Sequence, residues 1–238
     1  MVLNSKLVPW ADFDAVLFDL DGVITPTAEL HRQAWGELFA DYSYTDNDYL
    51  THIDGKPRYD GVTSFLMSRG IELPWGKIDD PPGSTTICAM GNAKNEVFNQ
   101  ILQRQPIRPY GGTVAVMDLL DSLGISQAVV SSSKNAAAVL ASAGLADRFK
   151  VVVDGTTAER ENLPGKPDPA MFVLAADLLE VGRSRTLVVE DATSGVKAGV
   201  AGGFFVVGVD RGGNESSLQQ AGANVVVQDL NETLERVC

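Results

Sequence analysis

Residues 15–22 read Ala15-Val16-Leu17-Phe18-Asp19-Leu20-Asp21-Gly22, and the fold class follows from this octet. Its first four side chains are apolar with no polar alternation, the pattern of a strand covered on both faces within a parallel sheet. Beyond them, Asp19 and Asp21 lie two apart at the end of an extended segment, where alternate side chains point the same way. Two carboxylates are therefore expected to converge at a strand end.

Runs of the same kind recur at residues 128–130, 151–153, 186–189, 204–207 and 224–227, each followed or preceded by a helix-length segment. That rhythm is βαβ. The segment opening at Gly112 places Val116, Leu119, Leu120 and Leu123 at helical spacing, and Gly124 supplies a stop. Asp168-Pro169 reads as an N-cap followed by a proline at the first helical position, opening a helix over residues 170–179 that Gly182 ends. Right-handed crossovers then predict an α/β fold: an open, doubly wound, Rossmann-like parallel sheet with its site at the carboxyl ends of the strands.

One region breaks the rhythm. Residues 30–105 contain no comparable buried strand; Leu30, Ala34 and Leu38, around Trp35 and Phe39, have helical spacing, and residues 73–83 form a Pro/Gly-rich connector. Residues 29–105 are therefore expected to form a helical cap inserted into an α/β core made of residues 1–28 and 106–238. Hinges are expected near residues 25–27 and 105–109.

The chain has 238 residues, 45% of them hydrophobic, enough to fill a sizeable interior, and a formal net charge of −12. That acidity disfavours nucleic acid or an anionic membrane as partner, since no basic stripe is present to neutralise phosphates in bulk. Cys88 and Cys238 form neither a disulfide framework nor a zinc spacing. No stretch approaches the ~18 consecutive apolar residues of a membrane span. The expectation is a soluble, unprocessed, cytoplasmic monomer with a small-molecule substrate.

Three further strand ends terminate in polar, reactive types. Residues 129–133 end in Ser131-Ser132-Ser133, Lys166 stands just before the helix that Asp168 opens, and residues 188–191 end in Glu190-Asp191. Taken singly, the serines read as N-caps, the lysine as a solvated side chain and each acidic pair as a helix cap or an acidic loop. As a set on one sheet edge, they supply what phosphoryl transfer needs: a nucleophile, an anion cradle, charge neutralisation and oxygen ligands for a cation. Magnesium suits such a hard, carboxylate-rich ligand set.

The order Asp-x-Asp-Gly, Ser, Lys-Pro and Glu-Asp, with a helical insertion after the first motif, resembles the haloacid dehalogenase superfamily over nearly the whole chain. Phe18 to Ile24, Thr27 with Ala28-Glu29, His31, Trp35, Ser133-Lys134-Asn135, Lys166-Pro167 and Glu190-Asp191 are similar to its β-phosphoglucomutase-like branch. The resemblance implies that Asp19 attacks phosphorus to form an aspartyl phosphate, while Asp21 protonates the leaving oxygen and later deprotonates the acceptor hydroxyl. It implies that Ser131 and Lys166 hold the transferring group. Magnesium would be bound by the Asp19 carboxylate, the Asp21 carbonyl and Asp191, with Glu190 a ligand or near-ligand. Substrate contacts are implied for Thr27, His31, Trp35, Gly55, Arg58, Ser133, Lys134 and Asn135, with Arg58 gripping the distal phosphate of a phosphosugar. Lys94 and Asn95, in a polar stretch at residues 91–96 that looks like a helix start, join these candidates.

The chain departs from the branch pattern at Pro26, Asp54 and Gly61, which bear on sugar identity and on the mutase outcome. The leading expectation is a magnesium-dependent mutase moving phosphate between two positions of a sugar. Its rival is a phosphosugar phosphatase. A non-enzymatic receiver domain phosphorylated on aspartate shares the acidic edge, but it has no need of Asp21 or of a cap.

Overall fold

In the computed structural model, the described residues are 7–54, 56–104 and 107–234. Six strands, β1 (Ala15–Phe18), β2 (Ser126–Val130), β3 (Val151–Val153), β4 (Thr186–Glu190), β5 (Phe205–Val209) and β6 (Val225–Val227), form one sheet in the order β3-β2-β1-β4-β5-β6. Every pairing is parallel. Central β1 pairs Phe18 with Val129 on one side and with Val189 on the other, so the strand ends that carry Asp19, Ser131 and Glu190 are level. The chain leaves β1 toward β2 and β3 and returns past β1 to β4, which puts a switch point beside Asp19, where open α/β sheets bind ligands.

Among the described residues, ten α-helices accompany the sheet: α1 (Thr27–Leu38), α2 (Asp46–Asp48), α3 (Arg58–Ser68), α4 (Ile87–Arg104), α5 (Gly111–Leu123), α6 (Ala136–Ser142), α7 (Gly155–Arg160), α8 (Ala170–Leu178), α9 (Thr193–Ala201) and α10 (Glu215–Ala221). The period-2 alternation of the strands divides their side chains between two clusters. Val16, Phe18, Val129 and Val189 pack with Val116, Met117 and Leu120 of α5 and Val139 and Leu140 of α6. Leu17, Ala128, Val130 and Val188 pack with Met171 and Phe172 of α8 and Val196 of α9 on the opposite face. Both faces are dry, which is why the strands read as unbroken apolar runs.

A third cluster, Trp35, Phe39, Tyr49, Ile53, Phe65 and Leu66 among others, binds α1, α3 and the turns between them. The long helices reach beyond it: Ala34 of α1 and Phe98 and Ile101 of α4 belong to the sheet's own cluster. The two connections run side by side, with the Tyr110 N–H donating to the Ile24 carbonyl at 2.9 Å and Thr113 Oγ1 to the Val23 carbonyl at 2.6 Å. Gln105 and Pro106, part of the expected second hinge, lie outside the described residues.

Three local expectations shift. Helix α8 begins at Ala170, but its cap position falls on Pro169 rather than Asp168, whose carboxylate nonetheless accepts the Ala170 N–H at 2.9 Å. The same helix ends at Leu178, one residue short of the expected 179, and the stop comes at Glu180, in a left-handed turn at φ 58°, while Gly182 is extended. The polar stretch at residues 91–96 lies inside α4, which opens at Ile87. Gly124 does stop α5, at φ 70°. Among the described residues, no helix is long and apolar enough to cross a membrane.

Candidate active site

The loop after β1 is a tight turn. The Leu20 carbonyl accepts from the N–H groups of Ile24 and Thr25, both at 3.0 Å, and the Gly22 N–H donates to the Thr25 carbonyl at 2.7 Å. Gly22 sits at φ 92°, and a Cβ built there would stand 1.8 Å from Asp191 Oδ2. Glycine is required twice over, once for the backbone conformation and once for the carboxylate that occupies the vacant side-chain space. Gly195 plays the second part for Glu190, whose Oε1 would lie 1.7 Å from a Cβ at that position.

Lys166 organises the anionic side. Its Nζ lies 2.6 Å from Asp19 Oδ1, 2.7 Å from Glu190 Oε1 and 3.1 Å from the Val130 carbonyl, and 5.0 Å above the Phe172 ring. Burial works against the ammonium, but Asp19 and Glu190 outweigh it and raise its pKa. Burial pushes the Asp19 carboxyl well up, opposed by Lys166 and reinforced by Glu190 and Asp21. Asp191 is likewise driven well up, by burial first and then by Glu190, Asp19, Asp54 and Asp21.

Asp19, Glu190 and Asp191 each offer a carboxylate oxygen, all within 4.8 Å of one another. Lys166 is the cation bonded to two of them, and Asp191 has no ion-pair partner among the described residues. Three crowded carboxylates, Asp19 and Glu190 buried and Asp191 half-buried, with one ammonium bonded to two of them, fit a second, oxygen-seeking cation. Glu190 has both oxygens engaged, Oε1 by Lys166 and Oε2 by the Ala192 N–H at 2.9 Å, so its geometry is that of a support for the set more than of an open ligand.

The Asp21 side chain is held apart from this group. Its Oδ1 accepts a short hydrogen bond from Thr27 Oγ1 and lies 3.4 Å from His31 Nε2, while Oδ2 accepts from Ser131 Oγ at 3.3 Å. Burial opposes its ionisation, but His31, Thr27 and Lys94 outweigh burial and hold the carboxyl at about 2. The two aspartates face one cavity, yet they are gripped by different partners. Thr27 corrects an expectation: it is fully buried beneath Asp21, also bonded to Thr25 Oγ1 at 2.7 Å, and does not line the cavity, so it orients Asp21 and does not meet a substrate.

His31 stacks on Phe98 at 4.0 Å, with its Nδ1 bonded to Lys94 Nζ. Burial, then Lys94, lowers the imidazole's pKa. Lys94 itself is 3% exposed, lies over the Trp35 and Phe98 rings at 5.2 and 4.9 Å, and has its pKa lowered by burial and by Arg58. Its helical position carries no mark of this in the sequence, because burial comes from α4 packing on α1 and not from the local pattern.

The carboxyl edge of the sheet and helices α1, α3 and α4 border a cavity of about 470 Å³ lined by Asp19, Asp21, Lys166, His31, Lys94 and Arg58 among others. Arg58 opens α3, and its Nη2 donates to Asn95 Oδ1 at 2.8 Å; the same oxygen accepts from Asn135 Nδ2 at 2.7 Å, joining α3 and α4 to the loop after β2. Arg58 makes no ion pair among the described residues, which leaves its charge for a ligand. Lys134 is spent differently: it pairs with Glu159 at 2.9 Å, although it lines the cavity. Ser133 lines the wall beside it, donates its N–H to Ser131 Oγ at 3.1 Å and accepts from the Asn135 N–H. Trp35 has both parts, stacking on Phe39 at 5.5 Å inside the cap cluster while one edge borders the cavity. Gly55 lies outside the described residues. Tyr49 and Glu159, also in the wall, carried no signal in the sequence.

Comparison with known proteins agrees with this geometry. The family model described as haloacid dehalogenase-like hydrolase matches residues 13–203. A curated β-phosphoglucomutase of Mycobacterium tuberculosis is 44% identical over 92% of this chain and 91% of its own. One from Bacillus subtilis is 31% identical, over 93% and 92% respectively. The crystal structure of a β-phosphoglucomutase from Clostridium difficile superposes with a TM-score of 0.78 at 26% identity, covering 93% of each chain.

Proposed function

The chain belongs to the haloacid dehalogenase-like hydrolase family, and within it we propose a magnesium-dependent phosphosugar phosphotransferase of the β-phosphoglucomutase kind, acting through an aspartyl phosphate on Asp19. We assign residues 1–28 and 106–238 to the catalytic core and 29–105 to the cap, and place the enzyme in the cytoplasm. One observation carries the reading: two carboxylates two residues apart are held by separate partners, Asp19 by Lys166 and Asp21 by His31 and Thr27. Two environments give two roles.

Asp19 directs one oxygen to Lys166, leaving the other for phosphorus, and Lys166 neutralises charge on the transferring group. Ser131, bonded to both Asp21 and the Ser133 N–H, orients a phosphoryl oxygen beside them. Asp21, ionised at neutral pH, takes the proton of the accepting sugar hydroxyl; in the reverse half-reaction it returns that proton to the leaving oxygen. Arg58 and Lys94 hold the far phosphate, so that only a two-ended ligand draws cap and core together. Asp19, Asp191 and the Asp21 carbonyl, supported by Glu190, would hold magnesium, which when bound screens the repulsion between carboxylate and phosphate.

The test supplies β-glucose 1-phosphate with a trace of the 1,6-bisphosphate and follows both products. Glucose 6-phosphate formation, abolished in Asp19→Asn, is the expected result. Stoichiometric inorganic phosphate without glucose 6-phosphate would replace the mutase reading by the phosphatase one. A receiver domain has no use for a cation-lined cavity under a cap, and catalytic turnover excludes it.

A further inference from the structure

Resting on the magnesium reading above, we propose that the loop after β5 clamps the two turns that carry the metal ligands, with Arg211 and Asn214 as positioning residues. Arg211 Nε donates to the Gly22 carbonyl at 2.8 Å, and Asn214 Nδ2 donates to the Asp191 carbonyl at 3.0 Å. Gly22 and Asp191 are also where the turns after β1 and β4 touch, since Asp191 Oδ2 fills the space in which a side chain of residue 22 would begin. One loop therefore grips both sides of a single contact. Neither Arg211 nor Asn214 lines the cavity, so each acts through the backbone it holds and not on the substrate.

The clamp is itself held. The Asp210 carboxylate accepts the N–H groups of Gly212, Gly213 and Asn214 at 3.1, 2.6 and 2.9 Å, and the Asp210 N–H donates to the Val227 carbonyl at 2.7 Å. The Asn214 carbonyl accepts from the N–H groups of Ser217 and Leu218 at the start of α10. The Arg211 guanidinium lies 3.6 Å above the Tyr110 ring, and its Nη1 donates to the Gln228 carbonyl at 3.0 Å, so a stacked, planar group is fixed in one orientation. The Asp21 carbonyl, assigned to magnesium, belongs to the peptide just before the carbonyl that Arg211 grips. The N–H of that same peptide, on Gly22, donates to the Thr25 carbonyl at 2.7 Å. With both of its peptides tied, Gly22 fixes the tilt of the Asp21 carbonyl on one side and leaves room for Asp191 on the other. Magnesium demands near-octahedral ligands at set distances, and the partners that orient those ligands carry much of its affinity.

The experiment removes each bond in turn and measures magnesium affinity by calorimetric titration. It is run without phosphosugar and well below the melting temperature of each protein, where a loss of stability alone leaves affinity unmoved. Arg211→Gln takes away the guanidinium, and Asn214→Ser is too short to reach the Asp191 carbonyl yet remains a favoured residue ahead of a helix. Each variant should bind magnesium about 10- to 100-fold more weakly than the wild type. In metal-free protein, amide exchange over residues 20–25 should quicken about 5- to 10-fold in Arg211→Gln, the worth of one hydrogen bond. An affinity within about 3-fold of the wild type in either variant would overturn the proposal, and so would unchanged exchange in Arg211→Gln. Asn214→Ser, which leaves the guanidinium in place, decides the matter where Arg211→Gln fails to fold. A wild type that binds no magnesium is the separate result that removes the metal reading, and the clamp's role with it.

Discussion

Lys166 and Asp19, 147 positions apart in the chain, meet at 2.6 Å in the buried floor of the cavity. The ammonium is 1% exposed and bridges Asp19 to Glu190, so one cation compensates two carboxylates that end neighbouring strands.

Removing that cation leaves buried anions unpaired, a change that typically costs about 3–5 kcal/mol. Lys166→Met should therefore lower the free energy of unfolding by roughly 3 kcal/mol, measured by urea titration at neutral pH, and abolish turnover. A variant as stable as the wild type would mean that Asp19 and Glu190 do not depend on the lysine.

Gly22 touches the acidic set without contributing a side chain. Because a Cβ would stand 1.8 Å from Asp191 Oδ2 at φ 92°, Gly22→Ala must displace that carboxylate or deform the turn. Magnesium affinity should drop about 10- to 100-fold, the range seen when groups that orient metal ligands are altered. Calorimetric titration reads this directly, and unchanged affinity would remove Asp191 from the ligand set.

Asp21 offers a pH signature. Its carboxyl is held at about 2 against a usual 3.8, so the folded state binds this proton less readily than the unfolded chain. The stability so contributed is complete above the unfolded pKa and is lost as the pH falls through the folded one. Between about pH 4 and pH 2, the wild type should lose about 2 kcal/mol that Asp21→Asn does not lose. The same substitution should slow both half-reactions about 10²- to 10⁴-fold, as for loss of a general acid–base. Identical acid profiles for the two proteins would contradict the assigned environment.

Arg58 distinguishes substrates by length. Arg58→Ala should weaken a sugar bisphosphate about 10- to 100-fold, the worth of a charge-assisted contact, while leaving a simple aryl phosphate within about 3-fold. Equal losses on both would place the guanidinium outside the substrate's far end.

The sheet was legible because its signal is local. A strand buried on both faces must be apolar at every position, so residues 15–18, 151–153 and 186–189 announce themselves, and the polar residues that follow mark the sheet's edge. The first and last residues of helices were less legible: the stop expected at Gly182 comes at Glu180, in a left-handed turn that a non-glycine residue seldom adopts.

By itself, then, the order of residues determined the parallel α/β layering, the helical insertion, the acidic strand ends after β1 and β4, the serines after β2 and the lysine ahead of α8, since each depends on spacing within a few positions. Tertiary structure alone decided which charges meet. Lys166 reaches Asp19 and Glu190 only through the alignment of β1 and β4, and the Gly22 turn lets Asp191 approach while Thr27 and His31 draw the Asp21 carboxylate aside. Thr27 was read as a substrate contact and Lys94 was a candidate only through its polar stretch, because burial under a docked helix is a property of distant partners that no local pattern records.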